Sequence, residues 1–86
     1  MKELFVITTK DCNACNKIIT ILTDKLIDFE IIDDDHVRRE LILDNIPPQL
    51  IKYYPIVALF ENRVYDSAFC GSSVLNLEKL LVKLEN

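Results

Sequence analysis

Eighty-six residues, half of them hydrophobic and with only one Gly and three Pro, describe a single element-rich domain and exclude a disordered chain or a loop-rich scaffold. A formal net charge of −4 argues against nucleic acid or an anionic membrane surface as the main partner. No apolar stretch approaches the roughly 20 residues of a membrane span, and Met1-Lys2-Glu3-Leu4 lacks the layout of a signal peptide, so the expected location is cytoplasmic.

In chain order, residues 3–9 are apolar and β-branched enough for a buried strand, and Thr8-Thr9-Lys10-Asp11 breaks the run. Cys15, Ile18, Ile19, Leu22 and Leu26 then recur at steps of three and four, the stripe of a helix over 13–26 packed on a sheet. Residues 28–33 read as a second strand. Asp33-Asp34-Asp35 supplies turn formers and an N-terminal cap for a short helix through Val37–Leu43, which Pro47-Pro48 stops. Residues 56–60 form a third strand, Glu61-Asn62-Arg63 a tight turn and 64–67 a fourth strand. Gly71-Ser72-Ser73 opens a last helix with an apolar face of Val74, Leu77, Leu80, Leu81 and Leu84. The order β-α-β-α-β-β-α predicts an α/β domain with a four-stranded mixed sheet flanked by three helices. Right-handed crossover makes the first two strands parallel, and the hairpin adds two antiparallel ones.

The chemistry-bearing motif is Cys12-Asn13-Ala14-Cys15, set where the first strand turns into the first helix. Residues three apart share a helical face, so two sulfurs at this spacing can close or open a disulfide ring with little backbone movement. The same spacing would also serve as half a zinc site. A second ligand pair is lacking, because Cys70 and His36 are single and far apart, so no metal is expected. In a reducing compartment three cysteines favour redox chemistry over structural disulfides. Cys12, at the helix start and near Lys10, is the expected nucleophile, with its pKa below that of a free thiol. Cys15, one turn inside on the apolar stripe, is the expected resolving thiol. His36 reads as a solvated residue at a helix start. Cys70 reads either as a third redox thiol or as a small core residue.

With Cys12 and Cys15 after the first strand, Pro55 at the mouth of the third and Gly71 turning into the last helix, the whole chain resembles the thioredoxin superfamily, and its length and plan look most like a glutaredoxin. The resemblance implies a cis peptide bond at Tyr54-Pro55 facing the cysteines. It also implies a thiol–disulfide oxidoreductase with glutathione as co-substrate, disulfide-bearing proteins as partners, no tightly bound cofactor and a monomeric state. Substrate binding would fall to Lys10, Tyr54, Pro55, Gly71, Ser72 and Ser73. The chain departs from the glutaredoxin pattern at Asn13-Ala14, where Pro-Tyr is familiar, and at Ser73 or Val74, where an acidic residue is usual. Two other readings stand beside it: a thioredoxin-like reductant recycled by a reductase protein, and a redox-inactive module holding an extended peptide at Tyr54-Pro55. A dimer sharing a metal or iron–sulfur cluster through Cys12 is a third.

Overall fold

In the computed structural model, which describes residues 1–86, strand β1 (Lys2–Ile7) lies inside a sheet that is apolar on both sides. It pairs in parallel with β2 (Glu30–Ile32) and antiparallel with β3 (Ile56–Glu61). β3 pairs antiparallel with β4 (Val64–Cys70), giving the strand order β2-β1-β3-β4. Leu4 and Val6 of β1, with Val57 and Leu59 of β3, enter one core layer. Phe5 and Ile7, with Ile56, Ala58 and Phe60, enter the other. Burial on both faces is why these strands are continuous apolar runs instead of alternating ones.

Helices α1 (Asn13–Asp24) and α3 (Val74–Glu85) cover the first layer with Ile18, Leu22, Leu77, Leu80 and Leu81. The short α2 (Arg39–Asp44) covers the second with Ile42, helped by Ile46 just beyond it. A single 3₁₀ turn at Pro48–Leu50 leads to β3. No helix is long and apolar enough to cross a membrane.

Several boundaries differ from the expectation, each for a local reason. β1 ends at Ile7, although the Thr8 N–H extends the β2 ladder by donating to the Ile32 carbonyl at 3.0 Å. α1 stops at Asp24, and Leu26 is not on its stripe; it is 91% exposed with φ of 58°. The N–H of Ile27 donates to the Leu22 carbonyl and that of Leu26 to the Thr23 carbonyl, which is a Schellman closure with leucine where glycine is usual. Ile27 then packs on the layer beneath α1. Closure of the helix and burial of Ile27 outweigh the cost of a left-handed leucine, about 1–2 kcal/mol.

β2 is shorter than expected, and none of the three aspartates caps α2. Asp33 Oδ1 accepts the N–H of Asp35 at 3.1 Å, Asp34 faces the loop after β1, and Arg38 stands at the N-cap with no side-chain cap bond. The turn from β3 to β4 places Asn62 and Arg63 at φ of 52° and 68°, the signature of a type I′ hairpin turn. β4 runs on to Cys70, three residues past its expected end.

Candidate active site

The register of the sheet gathers distant segments at one end. Ile7 is opposite both Ile32 and Ile56, and Ile56 is opposite Cys70. The residues leaving β1, β2 and β4 and those entering β3 therefore share that edge, which is where Cys12 begins α1.

Cys12 is the N-cap of α1, with an extended backbone at φ of −111°, and its Sγ accepts the backbone N–H of Cys15 at 3.0 Å. Sulfur thus fills the place that a serine or aspartate oxygen commonly takes, satisfying one of the unpaired donors of the first turn. The two cysteines are disulfide-bonded with Cα atoms 5.3 Å apart, inside the ordinary range. Cys15 is 2% exposed and faces the core, whereas Cys12 is half-buried and reaches the surface.

A cavity of about 380 Å³ borders the pair, lined by Thr8, Thr9, Asp11, Cys12, Asn13, Cys15, Asn16 and Ile19. A larger one, about 470 Å³, opens beside Glu3, Phe60 and Arg63 near the opposite end of the sheet. It contains neither sulfur, so the smaller cavity is the one at the cysteine pair.

The Tyr54-Pro55 bond is cis. Pro55 is buried, and its carbonyl accepts the N–H of Gly71 at 2.8 Å, which ties the start of β3 to the turn into α3. Gly71 has φ of +94° and open space where a Cβ would stand, so the backbone conformation, and not crowding, calls for glycine. Ser73 caps α3 by accepting the N–H of Asn76 at 3.2 Å. Ser72 is half-buried and Lys10 exposed, while Tyr54 is half-buried beneath the Arg39 guanidinium. Tyr54, Pro55, Gly71, Ser72 and Ser73 thus sit at the same sheet end as the cysteines but outside the cavity that touches them. Cys70 is a free thiol packed against the α2-side layer.

His36 is not solvated as expected. Its Nε2 lies 2.9 Å from Glu30 Oε2, and its Nδ1 accepts the N–H of Arg38 at 3.0 Å. The sequence reading also overlooked Arg39 and Asp34, whose contacts run from the loop before Cys12 to Tyr54. One signal was present: Arg39, Ile42 and Ile46 are spaced three and four apart, so the inward stripe of α2 begins at an arginine.

No family model matches the chain, and no curated protein matches it in sequence. Solved structures do match in fold. Spinach chloroplast thioredoxin f (short form) superposes with a TM-score of 0.74 at 13% identity, over 99% of this chain and 77% of that one. Reduced Schistosoma mansoni thioredoxin pre-protein gives 0.72 at 17% identity over 95% and 77% of the two chains. Plasmodium falciparum thioredoxin gives 0.70 at 21% identity over 95% and 70%. The chain has the thioredoxin fold. On that fold, the Cys12–Cys15 disulfide stands at the start of α1.

Proposed function

We propose that the chain is a glutaredoxin-like thiol–disulfide oxidoreductase that reduces glutathione-mixed or protein disulfides, acting as a cytoplasmic monomer without a tightly bound cofactor. The observation that carries this reading is the sulfur of Cys12 accepting the Cys15 N–H at the start of α1, with Cys15 buried directly behind it. An anionic sulfur at that place gains from both the N–H donor and the helix dipole.

In the reaction, the Cys12 thiolate attacks one sulfur of the substrate disulfide, forming a mixed disulfide and expelling the other sulfur as a thiolate. Cys15 gives up its proton and attacks the Cys12 sulfur, closing the Cys12–Cys15 disulfide and releasing the second substrate thiol. Two electrons and two protons pass from the cysteine pair to the substrate. Two glutathione molecules restore the dithiol, the first forming a mixed disulfide at Cys12 and the second leaving as glutathione disulfide. Lys10 and the N-terminus of α3 around Ser72 and Ser73 would favour the carboxylates of glutathione. The backbone of Tyr54 before Pro55 would pair with an extended substrate.

A thioredoxin-like reductant recycled by a reductase protein is the second reading. The departures at Asn13-Ala14 favour it, as does the commitment of the Ser73 hydroxyl to its own helix. The deciding measurement is reduction of a glutathionylated peptide with glutathione as the only reductant, by wild type and Cys15→Ser. Turnover in both supports glutathione chemistry through Cys12 alone. Turnover in neither, with a protein disulfide still reduced once by the dithiol form, moves the function to the second reading.

A further inference from the structure

Arg39 makes its contacts with three separate segments at the active-site end. Its side chain is 11% exposed. One nitrogen, Nη1, donates to the Thr8 carbonyl at 2.7 Å and lies 3.2 Å from the Ile32 carbonyl, joining the ends of β1 and β2. Nη2 faces Asp34 Oδ1 at 3.4 Å, and the guanidinium carbon lies 5.3 Å from the centre of the Tyr54 ring. Asp34 extends the reach of this arginine. Its Oδ2 accepts the Lys10 N–H at 3.1 Å, and its Oδ1 accepts the Thr9 hydroxyl at 3.2 Å. Thr8, Thr9 and Lys10, the run that leads into Asp11 and Cys12, are therefore held directly by Arg39 or through its carboxylate partner. Asp11 follows with φ of 54°, a left-handed turn of the backbone between this run and Cys12.

Stability is a weak explanation for this arrangement. The Arg39 side chain is mostly buried but that of Asp34 is about a third exposed, so solvent screens their attraction while the guanidinium still gives up its hydration, and the pair itself adds little. What a planar guanidinium adds is geometry, since its fixed fork can bond two carbonyls and a carboxylate while its face stacks on a ring. Lysine could keep the charge but not the fork or the stack.

We infer that Arg39 is a positioning residue for the Cys12–Cys15 pair, holding the backbone that delivers Cys12 and the Tyr54 wall beside Pro55 in one register. The catalytic part of the inference rests on the disulfide-reducing function proposed above. Without Arg39 the entry to α1 loosens, and the Cys15 sulfur meets Cys12 at a lower effective concentration. The dithiol is then favoured over the ring disulfide, and exchange with a bound substrate slows.

The test measures the dithiothreitol equilibrium of the cysteine pair in wild type, Arg39→Met and Arg39→Lys, together with their rates on a peptide disulfide. For Arg39→Met the expected results are a shift toward the dithiol of about threefold or more, and a rate lowered by about 10- to 100-fold. Arg39→Lys should recover less than half of either loss. A folded Arg39→Met whose equilibrium stays within about twofold of wild type, with only its unfolding midpoint lowered, overturns the inference. If Arg39→Met does not fold, Asp34→Ala, which removes both oxygens that accept from Thr9 and Lys10, must show the same shift, and an unchanged equilibrium there overturns it equally. A wild type that leaves the peptide disulfide intact would refute the proposed function, while the dithiothreitol equilibrium would still decide the role of Arg39.

Discussion

The Cys15 N–H points at the Cys12 sulfur from 3.0 Å, so the buried cysteine of the pair supplies a donor to the half-buried one. When the disulfide opens, that donor and the rest of the first turn of α1 remain aimed at the place where negative charge collects. The rate of iodoacetamide alkylation of Cys12 against pH should therefore have its midpoint below that of a free thiol, and Cys15, being buried, should react much more slowly. A midpoint at or above the free-thiol value would remove the helix terminus as the activating feature.

Four non-glycine residues hold left-handed backbone at exposed positions, Asp11, Leu26, Asn62 and Arg63, and two of them, Leu26 and Arg63, are places to gain stability. Leu26 closes α1 and Arg63 sits in the β3–β4 turn. Since Leu26 is 91% exposed, Leu26→Gly relieves the strain with little packing to lose. Arg63→Gly makes the Asn–Gly pair that a type I′ turn favours. Each should stabilise the fold by about 1 kcal/mol, which for a domain this small raises the melting temperature by about 4–8 °C. A drop in melting temperature for either would show that the side chain makes a compensating contact.

Leu22 and Leu41 separate core from surface. Leu22 is fully buried under α1, and its carbonyl also closes that helix; Leu41 is 64% exposed on α2. Leu22→Ala should cost about 2–5 kcal/mol, a large part of the stability of an 86-residue domain. Leu41→Ala should stay within about 0.5 kcal/mol of wild type. Urea unfolding of the two variants checks both values, and similar costs for both would contradict the layer assignment.

Tyr65 gives stability a dependence on alkaline pH. Burial, and then the neighbouring Asp66 carboxylate, push its phenol above the ordinary tyrosine value. The folded state then holds this proton more tightly than the unfolded state does. The stabilising contribution is complete below the ordinary tyrosine pKa and is lost as pH rises through it toward the raised folded value. Denaturation midpoints should fall across that range, and Tyr65→Phe should flatten the Tyr65 part of the decline. Identical pH profiles for wild type and Tyr65→Phe would exclude this coupling.

Where burial followed a regular period, the sequence was readable. Ile18 and Leu22 on α1, Leu77, Leu80 and Leu81 on α3, and the apolar runs of β1 and β3 all lie where their spacing placed them. Ends were less legible, because caps and closures depend on neighbours. The aspartate run 33–35 resembles a helix cap in isolation, but Asp34 is drawn instead to Thr9, Lys10 and Arg39. Leu26 continues the helical stripe of α1 on paper. In three dimensions Ile27 takes the buried place, and Leu26 turns outward.

By itself, the sequence determined the element order, the two apolar layers and the place of the cysteines between the first strand and the first helix. Those are properties of contiguous residues, expressed as period and spacing. Tertiary structure decided how the segments meet: the register that sets Ile7 opposite Ile32 and Ile56, the bond from Gly71 to Pro55, and the use of Arg39 to hold the approach to Cys12. A guanidinium on a short helix finds its partners only after strands from distant parts of the chain have paired. Which carbonyls, carboxylate and ring it then meets is set by that pairing, and not by the residues beside it in sequence.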